Sequence, residues 1–196
     1  QRDYRKNVTV LTGDLKGDDN TNPDGVTETA AGIVGENSYT VVTSFGAAAP
    51  NTGILDGFTI TGGSADFPDN IGGAKQYGGG MHNTGSHAVV RNCSFRGNSA
   101  VWGGGAICNI SSNIRLGYCT FSGNAASAGG GLYHEGGSPR LTNSILWNGA
   151  GGEFSRDVTC SPTVTYCAIR GGYDPATDEA RHVLSGDPRL LLLADN

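Results

Sequence analysis

Helix-forming sequence is scarce in this chain, and so are charge and long apolar runs. No window repeats apolar residues at the i, i+3, i+4, i+7 spacing of an amphipathic helix. Glycine makes up 33 of the 196 residues, and each would cost about 1 kcal/mol in a helix interior. Only 16% of the residues are charged, the formal net charge is -5 and no basic block exists, which argues against nucleic acid as a partner. No apolar run is long enough to be a transmembrane segment. The missing helical periodicity and the high glycine content together predict an all-β protein.

The residues that are abundant recur at a fixed interval. Glycine triplets begin at residues 78, 103 and 129, which gives a repeat of 25 to 26 residues, and a looser fourth copy begins at residue 151. Aligning the copies gives four columns of like residues: Met81, Ile107, Leu132 and Phe154; Val90, Leu116, Leu141 and Val164; Cys93, Cys119, Ser144 and Cys167; Phe95, Phe121, Leu146 and Ile169. A fixed period of this size is typical of a stacked repeat protein.

The repeat predicts a right-handed parallel β-helix with coils of about 25 residues. Each copy holds short alternating stretches broken by glycine or asparagine, and coils of such strands stack about 4.8 Å apart. Asn92 and Asn143 fall between two strands, where asparagine suits a left-handed turn, and Tyr118 and Tyr166 take that place in the alternate copies. The competing architecture is an antiparallel propeller or sandwich, but hairpin signals such as Asn-Gly are scarce.

We predict a single domain over residues 1–196 with three parts. Residues 1–63 hold N-terminal coils and a polar, acidic insertion at 13–25, residues 64–172 hold the repeat coils, and residues 173–196 form a C-terminal cap. The four leucines at 190–193 are expected to cover the last coil. The polar residues 1–7 are expected to lie across the other end as a charged barrier to strand addition, and self-association through the ends is the alternative.

The cysteines number five, so they cannot form a complete disulfide framework within one chain. Cys93, Cys119 and Cys167 share an inward column, where cysteine serves as a small apolar filler. Cys93 and Cys119 would lie within disulfide range, but stacked side chains rarely have the required dihedral, so we favour free thiols. Any thiol labelling of the native protein is expected at Cys108 or Cys160.

Several motifs resemble a known family. GGAI at 104–107, together with FxxN at 95–98 and 121–124, resembles the repeat of the chlamydial polymorphic outer membrane proteins. The motifs are also similar to the wider group of bacterial right-handed parallel β-helix surface proteins, in which segments like LDGFTITGG at 55–63 and GDPRL at 186–190 bracket the repeat. The resemblance implies a β-helix fold and a secreted or cell-surface location, and members of the first family are adhesins.

The function predicted from these features is that of a non-catalytic, exported or cell-surface module for adhesion, or for binding glycans, proteins or copies of itself. The alternative is a polysaccharide lyase, hydrolase or epimerase of the β-helix type. Such enzymes need acids gathered on one face, either to hold calcium or as a carboxylate pair. Glu135, Glu153 and Asp157 show no such spacing, and His82 and His134, in loosely equivalent turns, have no acid partner at a convincing spacing. This pattern favours a non-enzyme.

Two groups of side chains are candidate ligand contacts. Tyr77 and Trp102 precede equivalent glycines one coil apart, so their rings could form a sugar-binding platform, or they could simply shield the glycine turn. Arg96 and Arg170 share an outward column that also holds Trp147, which could grip an acidic glycan, although solvated arginines are the commoner outcome.

A third group is a candidate calcium loop. Asp18, Asn20, Asn22 and Asp24 alternate before Gly25, like the start of an EF-type loop. The twelfth position lacks the expected glutamate, so a plain polar loop is the favoured alternative. No cofactor is required by the sequence, and calcium is the one ion that the pattern suggests.

Overall fold

The computed structural model describes residues 8–46, 53–68, 73–148, 151–173 and 179–186, and these form a parallel β-helix. The strands are short because a turn residue interrupts each alternating stretch, and each strand pairs in parallel with its counterparts in neighbouring coils. Among the described residues, the predicted stacking of all-β coils is therefore confirmed. Helix is limited there to two short 3₁₀ turns, Ala30–Gly32 and Ala74–Gln76, and no described helix could span a membrane.

The strands form three long sheets and one short one. Sheet A contains β1 (Val10–Thr12), β4 (Thr59–Thr61), β8 (Ser94–Arg96), β12 (Thr120–Ser122), β15 (Ile145–Trp147) and β18 (Ala168–Ile169). Sheet B contains β2 (Val42–Phe45), β6 (Met81–Thr84), β10 (Ile107–Ile110), β13 (Leu132–Glu135) and β16 (Phe154–Arg156). Sheet C contains β3 (Ile54–Asp56), β7 (Val89–Arg91), β11 (Arg115–Gly117), β14 (Arg140–Thr142), β17 (Thr163–Thr165) and β19 (Glu179–Arg181). The short sheet pairs β5 (Ser64–Ala65) with β9 (Ser99–Ala100).

The predicted apolar columns are the core between these sheets. Phe121 pairs with Phe95 on one side and Leu146 on the other, and the two phenyl rings stack with centroids 5.2 Å apart. The Met81, Val90 and Phe95 columns have the predicted pairings throughout. Almost every member is buried; Phe154, in the last coil, is half-buried. The ladders thus bury one apolar side chain per sheet and coil, each worth about 1.5–3 kcal/mol.

Between sheets C and A, the chain turns through a single left-handed residue in each coil. We call this set the corner column: Gly57, Asn92, Tyr118, Asn143, Tyr166 and His182, with φ between 49° and 79°. Parallel backbone bonds hold it in register, for example from the N–H of Tyr118 to the carbonyl of Thr142 (3.2 Å) and from that of Asn143 to Thr165 (3.1 Å). The predicted left-handed turn at these positions is confirmed.

After sheet A, a second set of amides lies inside the solenoid. We call it the amide ladder: Asn98, Asn124 and Asn148, all buried. The side-chain N–H₂ of Asn98 donates to Oδ1 of Asn124 (2.9 Å), and that of Asn124 donates to Oδ1 of Asn148 (2.7 Å). The FxxN motifs supply the first two members. The third copy has one residue fewer between Leu146 and its asparagine, yet Asn148 still joins the ladder.

The ladder ends on a buried carboxylate. Glu153 accepts the backbone N–H of Asn148 at Oε1 (2.7 Å) and its side-chain N–H₂ at Oε2 (2.6 Å). Burial raises the pKa of Glu153, while the bonds from Asn148 and the charge of Arg170 act in the opposite direction. The acid that sequence reasoning weighed for catalysis therefore has a structural role.

The segment between β1 and β2, which is longer than the insertion predicted at 13–25, packs along the outside of the solenoid. We call residues 13–37 the strap. The carbonyl of Thr27 accepts the Thr61 hydroxyl (2.7 Å), and the N–H of Ala30 donates to the carbonyl of Gly123 (2.8 Å), so the strap crosses several coils. A Cβ at Gly97 or Gly123 would collide with strap backbone, which explains glycine at the turn after the strands of sheet A.

All five cysteines lie in the described part of the chain, no disulfide joins them, and all are buried. The prediction of free thiols at Cys93, Cys119 and Cys167 is confirmed. The expectation that Cys108 and Cys160 are more accessible is wrong: Cys108 is 0% and Cys160 2% exposed. Cys108 points to the outer face of sheet B, but neighbouring side chains cover it there. Residues 1–7 and 187–196, which include the expected barrier and the leucine cover, lie outside the described residues.

Candidate binding surface

The carboxylates of the strap are largely engaged by the strap itself. Asp14 accepts backbone N–H groups from Lys16, Gly17, Asp18 and Asp19. Burial is the largest single influence on the pKa of Asp14 and raises it, but the four backbone hydrogen bonds together prevail and hold this pKa below its usual value. Hydrogen bonds to an ionised carboxylate, rather than those of a helix or strand, therefore hold the first turn of the strap in place.

Asp19 is the buried carboxylate of the strap. It accepts the hydroxyl of Thr27 (3.0 Å), the N–H of Val34 (2.7 Å) and the side-chain N–H₂ of Asn37 (3.0 Å). Asn37 also donates to the carbonyl of Gly62 (2.6 Å). One buried acid thereby ties both halves of the strap to the first coil.

The predicted calcium loop is only partly brought together. Asp18 lies with Asp14 and Asp19, and one carboxylate oxygen of each falls within 4.8 Å of the others. Asn22 instead closes a turn by accepting the backbone N–H of Asp24 (3.0 Å), and Asn20 and Asp24 are exposed. Calcium at the loop stays a prediction, and Asp14, outside the EF-like pattern, would have to take part.

The predicted arginine column exists, but both arginines already have partners. Ser122 pairs with Arg96 and Trp147, and Arg170 follows in the next coil. The guanidinium of Arg96 lies 3.5 Å from the Glu28 carboxylate of the strap, and that of Arg170 donates to the carbonyl of Asn148 (2.7 Å). Trp147 is half-buried. An acidic glycan would have to compete with these contacts.

Tyr77 and Trp102 are displaced by one residue from the predicted alignment. Tyr77 pairs with Gly103, while Trp102 donates its indole N–H to Oε1 of Gln76 (3.0 Å). The ring of Tyr77 contacts that of Tyr133, with centroids 5.6 Å apart. The offset arises because Met81 follows its glycine triplet directly, whereas Ala106 stands between the next triplet and Ile107. The two predicted platform residues therefore have different neighbours.

The two histidines occupy different positions in their strands, because His82 follows the inward residue Met81 directly whereas His134 is the second residue after Leu132. His82 pairs with Cys108 on the outward side of sheet B, whereas His134 continues the inward line of Asn83 and Asn109. Asn109 lies 3.0 Å from Nδ1 of His134, and burial lowers the pKa of His134 to about 3. The expected equivalence of the two histidines is wrong, and His134 is a neutral part of the core.

The acids of the repeat coils do not converge with these histidines. Asp157 accepts the hydroxyl and N–H of Thr159 and the N–H of Gly136, and these bonds, the Thr159 side chain first, lower its pKa. Glu135 is exposed. Among the described acids of the repeat coils, Asp157 and Glu153 therefore have local hydrogen-bond donors of their own.

The corner column carries the most exposed ring surface of the described repeat coils. Tyr118 is 66% and Tyr166 61% exposed, compared with 41% for Trp102. Tyr118 lines a depression of about 730 Å³ with Asn92, Ser94 and Thr120. Tyr166 lines another of about 520 Å³ with Asn143, Ile145 and Ala168. The sequence analysis placed both tyrosines at the turn but did not identify them as candidate ligand contacts. Their alternation with asparagine at the same position was a signal of a possible binding role.

Comparison with known proteins agrees with the resemblance noted in the sequence. Residues 92–110 and 118–135 match the family model of the Chlamydia polymorphic membrane protein repeat. Each segment begins at a residue of the corner column, includes one asparagine of the amide ladder and ends with a strand of sheet B, β10 in the first segment and β13 in the second. The match confirms the predicted resemblance and is compatible with an outer-membrane or surface location. No curated protein and no solved structure matches the chain.

Proposed function

We propose that this chain is a non-catalytic β-helix module displayed at the cell surface, where its outer face binds the surface of another cell or an extracellular polymer. In this proposal residues 1–196 act as one domain. The repeat match supports the surface setting, because the matching family is one of membrane proteins.

One observation carries the binding role. Two of the groups suited to chemistry form hydrogen bonds inside the solenoid, whereas large aromatic side chains stand exposed at the corner column. Glu153 and His134 are buried and hydrogen-bonded, while Tyr118 and Tyr166 project to solvent. Exposed aromatic residues on a rigid scaffold supply contact area at little conformational cost and are enriched at recognition surfaces.

The surface setting and the binding role can be tested separately. Antibodies raised against the chain should label intact cells of the source organism, and mild external protease should remove the epitope. Labelled recombinant chain should bind epithelial cells or immobilised extracellular polymers saturably. Absence of surface labelling would overturn the location, and non-saturable binding to every surface would overturn the binding role. Steady release of reducing ends from a polysaccharide would instead favour the enzyme alternative.

A further inference from the structure

We propose that the corner column binds a neutral glycan chain running along the solenoid axis, with the phenol rings of Tyr118 and Tyr166 as its stacking contacts. The proposal rests on the surface-binding function above and adds both the site and the ligand class. It differs from the sequence-based platform at Tyr77 and Trp102.

The first argument is conformational. Tyr118 and Tyr166 adopt φ of 54° and 55°, a region that costs most residues about 1–2 kcal/mol and that asparagine tolerates better. Asn92 and Asn143 occupy the same place in alternate coils, so the fold does not need tyrosine there. A residue held in a strained conformation, at a position where asparagine would adopt that conformation at a lower energetic cost, is a candidate for a functional role.

The second argument is accessibility. Both rings are more than 60% exposed, so they add little to the core. A Cβ at Gly117, beside Tyr118, would meet only the Thr142 hydroxyl at 3.5 Å. Packing therefore does not require glycine at 117, and its small size leaves the surface next to the ring open. In a later coil, the ring of Tyr166 stacks on the ring of His182 with centroids 4.9 Å apart, and this contact fixes the orientation of the Tyr166 ring.

The third argument concerns the chemistry of the two depressions. Besides the tyrosines, their linings hold hydroxyl and amide side chains, chiefly Thr59, Ser94, Thr120, Asn92 and Asn143. Rings that present an apolar face, beside short hydrogen-bonding groups, match the two sides of a pyranose: C–H faces and hydroxyl edges.

The charges near the two depressions, which together we call the groove, favour a neutral ligand. Asp56 is the one carboxylate among the described lining residues, and it already accepts from Arg91 (2.9 Å) and from the Asn92 amide (2.8 Å). These two hydrogen bonds, that of Asn92 first, lower the pKa of Asp56. No described lysine or arginine lines either depression, and the nearby guanidinium of Arg91 is already paired with Asp56.

The backbone argues against an extended peptide as the occupant. Along this corner the N–H groups of Asn92, Tyr118 and Asn143 already donate to the next coil. A peptide strand gains its affinity mainly from free main-chain donors and acceptors at a sheet edge, and these are taken. The column runs through six coils, from Gly57 to His182, which at the usual spacing is a path of about 24 Å. That length suits a linear polymer with several sugar units.

The experiment uses the full chain in native affinity electrophoresis through gels that contain dextran, mannan or a soluble β-glucan. The double variant Tyr118→Asn/Tyr166→Asn copies the residue found in the alternate coils. We expect retardation of the parent chain in at least one gel, and affinity reduced by about tenfold or more in the variant because two stacking contacts are lost. Its melting temperature should be unchanged or slightly higher, since asparagine fits the turn better.

The matched control is Trp102→Gln, which copies Gln76 in the preceding coil. This control should retain glycan binding. Loss of binding in Trp102→Gln with retention in the double variant would overturn the groove and favour the platform. If the parent chain binds cells saturably but no gel containing a neutral polysaccharide retards it, the glycan proposal fails while the surface-binding function stands. Binding to cells that requires Tyr118 and Tyr166 but survives removal of cell-surface glycans would make the groove a protein contact and would also overturn the proposal.

Discussion

The amide ladder and the corner column both place asparagine at turns of the solenoid, but the asparagine serves a different purpose in each. In the ladder, Asn98, Asn124 and Asn148 are buried and each amide satisfies the next, so the side chain itself is required. In the corner, the required property is a left-handed backbone, and asparagine alternates with tyrosine. Buried polar groups must be paired, whereas an exposed turn constrains only φ and ψ. The corner is therefore where the chain is free to vary its chemistry.

The largest effect should come from the apolar interior. Phe121 is 0% exposed and stacks on Phe95, so Phe121→Ala should lower the free energy of unfolding by about 3–5 kcal/mol. Ser122→Ala, next to it on the outer face, should be nearly neutral. Chemical denaturation of both variants tests the contrast, and similar small losses at the two positions would contradict the inward alignment.

The next effect tests the comparison directly. Asn124→Ala would leave the buried N–H of Asn98 and the amide partner at Asn148 without their bonds, at an expected loss of about 2–4 kcal/mol. Asn143→Ala should cost about 1–2 kcal/mol, because alanine only strains the turn, and Asn143→Gly should restore most of that. Equal losses at 124 and 143 in denaturant titrations would mean that the ladder does not depend on its amides.

Acid sensitivity should follow from the inward line of sheet B. The pKa of His134 is about 3 in the folded protein against an ordinary value of 6.5. Between these values the unfolded chain binds a proton that the folded chain does not, so the free energy of unfolding falls as pH decreases below 6.5. By pH 5 the loss should reach about 2 kcal/mol.

The matched variant is His134→Asn, which copies Asn109 and Asn83 on the neighbouring strands. It should be less stable at pH 7, since the ring contact with Phe154 is lost, but its stability should change less between pH 7 and pH 5. Burial also lowers the pKa of His82, so the difference between parent and variant is the quantity to compare. An unchanged slope in the variant would show that His134 is not the acid-sensitive group.

Burial should make the five cysteines react slowly with thiol reagents while the protein is folded. Burial raises the pKa of Cys119 to about 12 and raises that of Cys108 still further, and a thiolate is needed for reaction. Native thiol titration should therefore label none of the five quickly, and labelling should follow unfolding. Fast reaction at Cys108 alone would show that its outward side opens in solution.

The smallest effect is expected in the strap. The oxygens of Asp14 and Asp19 already accept N–H and hydroxyl donors, and calcium would have to displace some of these. We therefore expect millimolar calcium to change the melting temperature by less than about 2 °C. A larger rise that is absent in Asp18→Asn, with Asp24→Asn as control, would establish a calcium site at Asp14, Asp18 and Asp19.

The contacts of the strap and the relative alignment of the glycine triplets are two features that the sequence did not predict. Columns could be aligned because each coil places a like residue in a like environment. The triplets misled at Tyr77 and Trp102 because the glycines were aligned, whereas the structure aligns the inward residues Met81 and Ile107. The strap has no repeat and no periodicity, so nothing in it predicted that Thr27 would reach the turn beside Thr61.

The sequence by itself determined the fold, the inward columns and the left-handed corner, because a residue that recurs once per coil meets copies of itself and needs no distant partner. Only the tertiary structure determined the contacts and the exposure of side chains whose partners differ from coil to coil. It joined Asn148 to Glu153 despite the shortened third copy, and it paired Arg96 with Glu28 of the strap. It also left Tyr118 and Tyr166 exposed, each in its own depression beside the corner column. Such contacts depend on which distant residues meet across the solenoid wall, and a repeat pattern carries no information about them.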